Sequence, residues 1–246
     1  MNKIGLLLII VMGLTSCGDK NHEGHGELGL TIKGRYNGEA LVMNQNYKYF
    51  DGSDINFSRS EWFISDIELV KGTDTALLKD YDFIEFNDHT NLTKAEAGVH
   101  IHLANIPEGN YSQIRFKIGL PPELNKKDPA DFQVGDPLSE GTNYWAGWKS
   151  YIFSKTEGNI TNSKGISKSF AFHSGFDTLM QQVVLNKIIE IDDDATTALT
   201  LELDHKRLFG DQQNYLDIIS DPIFHDLDDT RIFIFMDHFK NSFSIK

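Results

Sequence analysis

The side chains able to do chemistry in this chain are histidines, and two of them stand at a telling spacing. Val99-His100-Ile101-His102-Leu103 is an H-x-H on a stretch that reads as a strand. Residues two apart on a strand face the same way, so both imidazoles can meet one ion. Neutral imidazole is the commonest protein metal ligand and suits copper and zinc. His173 follows Phe170-Ala171-Phe172 on another predicted strand, and His205, His225 and His238 lie further on. A lone strand histidine can equally be a hydrogen-bonded structural residue. His22 and His25 form H-E-G-H in a Gly-rich stretch, where ordering entropy works against a tight site.

Other chemistries find less support. There is no Gly-rich phosphate loop, no H-E-x-x-H, no G-x-S-x-G and no cysteine pair. Asp192-Asp193-Asp194 and the group Asp226, Asp228 and Asp229 offer oxygen ligands for calcium, without the spacing of an EF-hand loop. Tyr144, Trp145, Trp148, Tyr151 and Phe153 read first as core, each burying about 150–250 Å² if internal. The other reading of Trp145 and Trp148 is as oxidisable aromatics.

The single cysteine, Cys17, closes a short apolar leader. Lys3 supplies positive charge, Ile4 to Leu14 the apolar run, and Leu14-Thr15-Ser16-Cys17 a lipobox. The run falls short of the ~20 residues needed to span a bilayer, so 1–16 reads as a cleaved signal. Lipidated Cys17 then holds an extracytoplasmic domain at a membrane, the outer membrane being the expected one, and residues 17–27 form its tether. The chain carries 23 Lys and Arg against 36 Asp and Glu; losing Lys3 with the leader takes the net charge from −13 to −14. Such acidity argues against nucleic acid and anionic lipid as partners; it suits divalent cations or a basic redox partner, and most often simply keeps a protein soluble.

These residues need elements to position them. From Leu28 onward the pattern alternates with period two between turn signals such as Asn37-Gly38 and Asp51-Gly52. Many short strands bounded by Gly, Asn, Asp and Pro predict one all-β domain over 28–246, an antiparallel β-sandwich. Glu123 to Gly141 is a long Pro-interrupted loop insertion with room for a short helical turn. Ile232, Phe235, Met236, Phe239 and Phe243 follow helical spacing, and Asp228, Asp229 and Thr230 offer caps, which predicts a C-terminal amphipathic helix. The local string Ile232-Phe233-Ile234-Phe235 also fits a strand.

The residues further resemble the MbnP-like copper-binding family, in particular its Bacteroidetes lipoprotein members. Trp62-Phe63-Ile64-Ser65-Asp66-Ile67-Glu68-Leu69 is similar to a family strand. Asn105-Ile106-Pro107-Glu108-Gly109-Asn110-Tyr111 is similar to a family turn. Ile118-Gly119-Leu120-Pro121 with Leu124-Asn125, the block Tyr144 to Phe153 with Glu157-Gly158, and Phe172-His173-Ser174-Gly175-Phe176 complete the set in the family's order. The resemblance implies a β-rich extracytoplasmic domain that binds copper; a non-enzymatic copper-binding lipoprotein is the first expectation, with an interaction module that has lost the metal site or a Trp-based redox protein as the alternatives. It implies a site of histidines beside a tryptophan oxidised to kynurenine, with a di-haem cytochrome c peroxidase-like partner as the oxidant. His173 falls in the family's F-H-x-G position. His102 is its expected companion and His100 the third candidate, both on strand geometry. In relatives the oxidised Trp precedes a His by two residues, a place no Trp takes here.

Overall fold

A computed structural model describes residues 24–246. Cys17, the leader and His22 lie outside the described residues. In chain order the strands are β1 (His25–Tyr36), β2 (Glu39–Ala40), β3 (Tyr47–Lys48), β4 (Asp54–Lys71), β5 (Asp74–Glu85), β6 (Val99–Pro107) and β7 (Gly109–Ile118). They continue as β8 (Tyr144–Trp145), β9 (Ser150–Thr161), β10 (Ser167–Gly175), β11 (Gln181–Ile191), β12 (Thr196–Asp204), β13 (Ile223–Phe224) and β14 (Phe243–Ile245). Among the described residues three α-helices join them: α1 (Leu92–Ala97), α2 (Pro122–Asn125) and α3 (Thr230–Asn241). Among the described residues no helix is long and apolar enough to cross a membrane.

The strands form two sheets. The smaller has the order β14-β12-β1-β2, with β6 also on β1; the larger runs β11-β7-β4-β9-β10-β13, with β3 and β5 on β4 and β8 on β9. Alternation dictates the layering. Leu28, Leu30 and Ile32 of β1 turn inward, as do Phe170 and Phe172 of β10, and both sets join one continuous core between the sheets. Two pairings correct the purely antiparallel expectation: β1 with β12 and β10 with β13 are parallel. The tether boundary also moves, because β1 begins at His25 and Gly26 already pairs with Ile106.

The long strand β4 changes face twice. Its register slips between Phe57 and Arg59 against β9, and between Ser65 and Glu68 against β7. A bulge adds one residue and so reverses which side chains face the core. Ile55 and Phe57 point in before the first slip, Trp62 and Ile64 between the two, and Ile67 and Leu69 after the second. Arg59 and Glu61 are thereby turned onto the outer face of the larger sheet.

That outer face has its own cover. Residues 121–143 contain α2 and three short 3-10 turns, as the Pro-interrupted loop suggested. They close over a second apolar cluster of Phe63, Leu120, Leu138, Tyr151 and Phe153. The Tyr151 hydroxyl donates to the Leu138 carbonyl at 2.7 Å and the Tyr81 hydroxyl to Asp136 at 2.6 Å, pinning the loop. Asp229 caps α3 through the Arg231 amide, and Ile232, Phe235, Met236 and Phe239 are its buried face, which settles the helix reading; Phe243 belongs instead to β14.

Candidate metal centre

The outer face of the larger sheet brings two histidines together. On β10 alternation buries Phe170 and Phe172 and turns His173 outward. The short strand β13 lies parallel to β10, with Ala171 opposite Ile223 and Phe172 opposite Phe224. Phe172 and Phe224 stack with ring centroids 4.3 Å apart, and the Ala171 amide donates to the Pro222 carbonyl at 2.9 Å. The residue after Phe224 therefore comes to rest beside the residue after Phe172. The imidazole centroids of His173 and His225 are 5.1 Å apart.

A stacked indole pair closes the site. Trp145 and Trp148 flank the turn between β8 and β9, where the Trp148 amide donates to the Trp145 carbonyl at 3.0 Å. Their rings lie 4.7 Å apart and 14° from parallel. Trp145 sits 5.6 Å from His225 and 6.3 Å from His173, centroid to centroid. Trp148 leans on Phe176 at 4.9 Å. Only glycine fits beneath it: a Cβ on Gly175 would stand 2.9 Å from the Trp148 ring. Trp145 keeps 37% of its surface exposed.

Hydrogen bonding selects the tautomer of His173. Its Nε2 lies 2.8 Å from Glu157 Oε1. An ionised carboxylate only accepts, so Nε2 carries the proton and the neutral ring presents its lone pair at Nδ1. That Nδ1 is buried and has no hydrogen-bond partner, and the same holds for His225 Nδ1. Burial pushes the His173 pKa below its ordinary value against the opposing pull of Glu157, which keeps the ring neutral. Arg59 Nη1 stands 3.5 Å from the same Glu157 oxygen, a loose, partly exposed ion pair. An imidazole whose far nitrogen donates to a carboxylate is the usual arrangement of a metal-bound histidine.

Two orphaned buried nitrogens beside each other suit an imidazole-liking metal such as copper or zinc. They make half a site: among the described residues no group of three or more His, Cys, Asp and Glu is placed to hold an ion.

The other candidates fall elsewhere. His100 and His102 do share a face of β6, but it is the solvent face of the smaller sheet, because Ile101 and Leu103 take the core positions. Thr31 Oγ1 lies 2.9 Å from His100 Nδ1, and Glu27 stands 3.7 Å from His102. The core thus separates them from His173, and the expected pairing of His102 and His100 with His173 does not form. His225 is the companion the sequence reading passed over. Its signal was an echo, Phe224-His225 repeating Phe172-His173. The acidic loops have other work: Asp193 accepts from the His25 amide at 2.9 Å, and Asp229 caps α3 and pairs with Arg231. Trp145 and Trp148 belong to the site, whereas Tyr151 and Phe153 of the same block are core.

A model of the MbnP family matches residues 25–226, a span that runs from the first residue of β1 to just past His225. The chain belongs to the MbnP family. This is a copper-related family, as the sequence motifs implied. Among solved structures the chain is similar to MbnP from Methylosinus trichosporium, with 10% identity, a TM-score of 0.50, and coverage of 75% of this chain and 77% of that one. At that identity the likeness concerns the fold. A search of curated proteins finds no match.

Proposed function

We propose that this MbnP-family member is a membrane-tethered, extracytoplasmic copper-binding protein without enzymatic activity. His173 and His225 would hold the metal, in place of the His102 pairing expected from the sequence. The observation that carries this reading is the pair of buried, partnerless Nδ1 atoms, one of them aimed by a carboxylate on the far side of its ring. Copper bound there would be held by imidazole nitrogen alone, a donor set that accepts it in either common oxidation state. Glu157 fixes the His173 tautomer, and the Phe172–Phe224 stack sets the approach of the two rings. Lipid on Cys17 would keep the domain at the membrane for uptake, storage or delivery.

The test is the metal content of the full chain, purified from membranes in detergent without chelator. Near one copper per chain is expected, lost in His173→Ala and in His225→Ala. A chain that retains no copper through dialysis would sink the reading and leave a sandwich that works as an interaction module.

One observation favours a second role at the same place. Trp145 touches both imidazoles and is partly exposed. It fits a tryptophan open to oxidation by a di-haem peroxidase-like partner, with spatial contact to a histidine replacing the sequence spacing of the relatives. Intact-mass measurement of the purified chain, with and without such a partner, tests this.

A further inference from the structure

Beside the histidine pair, on the same outer face, lies a cavity of about 460 Å³ between β4, β5, β9 and the covering loop. One row of side chains leads into it. Glu85 on β5 is opposite Glu61 on β4, Glu61 is opposite Lys155 on β9, and Lys155 is opposite His173 on β10. Strands stand about 4.8 Å apart, so the Lys155 wall of the cavity is one strand from His173, and Arg59 reaches from the cavity to Glu157: the cavity adjoins the candidate metal centre.

The cavity wall holds a buried ion pair. Lys155 is 3% exposed and Glu61 7%. The ammonium donates to Glu61 Oε1 at 2.6 Å and to Asn143 Oδ1 at 2.9 Å. Asn87 Nδ2 donates to Glu61 Oε2 at 2.6 Å and to Glu85 Oε1 at 2.9 Å. Desolvating two charges costs several kcal/mol per ion, and well-packed apolar residues of the same volume would often hold the fold as well. The pair is therefore better accounted for by a functional use than by stability.

The unspent valences point to that use. An ammonium has three donors, and Lys155 spends two inside the chain. The Arg59 guanidinium lies 3.9 Å from Glu61 and 3.5 Å from Glu157, too far for well-formed hydrogen bonds, and faces the cavity with donors to spare. Acceptors line it too: Glu85, exposed, and Glu140 on the loop, whose carboxylate makes no hydrogen bond or ion pair with the described residues. Phe83 and Pro137 supply an apolar wall. The volume lies in the range of small-molecule sites.

We propose that this cavity binds a small zwitterion, an α-amino acid or a short peptide. Its carboxylate would lie on Arg59 and the third hydrogen of Lys155, its ammonium on Glu140 and Glu85, and its apolar side chain against Phe83 and Pro137. Salt-like pairing at both ends makes the site selective for molecules carrying both charges.

The full chain in detergent would be titrated calorimetrically at ligand concentrations around 1 mM with L-leucine, Leu-Leu, N-acetyl-L-leucine and L-leucinamide. L-Leucine or the dipeptide binds, and which of the two binds tighter tells a free amino acid from a peptide. Either blocked form loses about tenfold or more, as expected when a charged partner is left unpaired. Arg59→Gln and Glu140→Gln, both at partly exposed positions and so safe for folding, each weaken binding about tenfold. His225→Ala, which removes the other imidazole of the copper pair and contacts none of Arg59, Lys155 and Glu157, leaves it within about twofold, which separates this site from the copper reading. Absence of binding by both zwitterions, equal binding of the blocked forms, or loss in His225→Ala with Arg59→Gln silent would each overturn the proposal.

Discussion

The indole of Trp145 and the imidazole of His225 stand 5.6 Å apart, although nothing in their sequence positions links them. Parallel pairing of β13 with β10 brings the histidine in, and the turn before β9 brings the indole. Trp62, the third tryptophan, is enclosed in the main core with Phe116, Phe239 and Phe243 around it. The three indoles therefore divide into two reporters of the site and one of the fold. Copper titrated into the protein should quench the Trp145 and Trp148 emission and leave the Trp62 component. In the doubly substituted Trp145→Phe, Trp148→Phe chain, the copper-dependent part of the quenching should largely vanish while the remaining emission still reports unfolding. Quenching of equal depth in that variant would place the metal elsewhere.

The H-x-H on β6 makes the opposite prediction. His100 and His102 are solvent-facing and lie across the core from His173. The double variant His100→Ala, His102→Ala should retain stoichiometric copper. Its unfolding free energy should change by no more than about 0.5 kcal/mol, the usual scale for surface positions. Equilibrium dialysis against copper and a urea melt check the two statements separately.

How far the sequence could be read divides along physical lines. Period-two alternation exposed most strands, and the F-H-x-G stretch singled out His173, whose outward face follows from the burial of Phe170 and Phe172. The helix at Thr230–Asn241 was legible from Ile232, Phe235, Met236 and Phe239. The bulges of β4 were not, since the extra residue is marked by no Gly or Pro at Ser58 or Asp66, and without them Arg59 and Glu61 cannot be assigned a face. The H-x-H misled because same-face geometry says nothing about which face is buried. His225 was hidden by a strand of two residues, too short for any periodicity, whose only trace is the repeated Phe-His pair.

Acid should destabilise the fold through a histidine outside both sites. His205 is fully enclosed, with Nε2 2.7 Å from Ser60 Oγ and the rings of Phe57 and Phe86 against it. Burial pushes its pKa down to about 4. The unfolded chain, with an ordinary histidine near 6.5, takes up the proton first as pH falls, so folding stability is whole above about pH 6.5 and drains away toward pH 4. The loss from this group is roughly 3 kcal/mol across that window. Urea melts of the metal-free chain between those limits should show the slope, and His205→Gln should flatten it, though starting from a lower stability. A wild-type profile flat from pH 6.5 to 4 would refute the assignment.

Arg231, at the start of α3, is the latch on the segment that carries His225. Its guanidinium pairs with Asp221 at 2.7 Å, also with Asp229, and lies 4.2 Å from the Phe224 ring centroid. It therefore ties both ends of the segment that presents His225, while touching neither His173 nor the indoles. The pairs are partly exposed, so they contribute little to global stability; the cation–π contact and ion pairs together amount to about 1 kcal/mol. The local effect is larger in kind, because β13 has only the Ala171 and Phe172 pairings to hold it to β10. Arg231→Ala should shift the melting temperature by a few degrees at most and yet weaken copper binding about tenfold, through a less fixed second imidazole. Arg231→Lys should recover part of the affinity, since an ammonium can meet one carboxylate but not span two in a fork. A competition titration with a copper chelator measures both variants. Unchanged affinity in Arg231→Ala would mean that the Phe172–Phe224 stack alone positions His225.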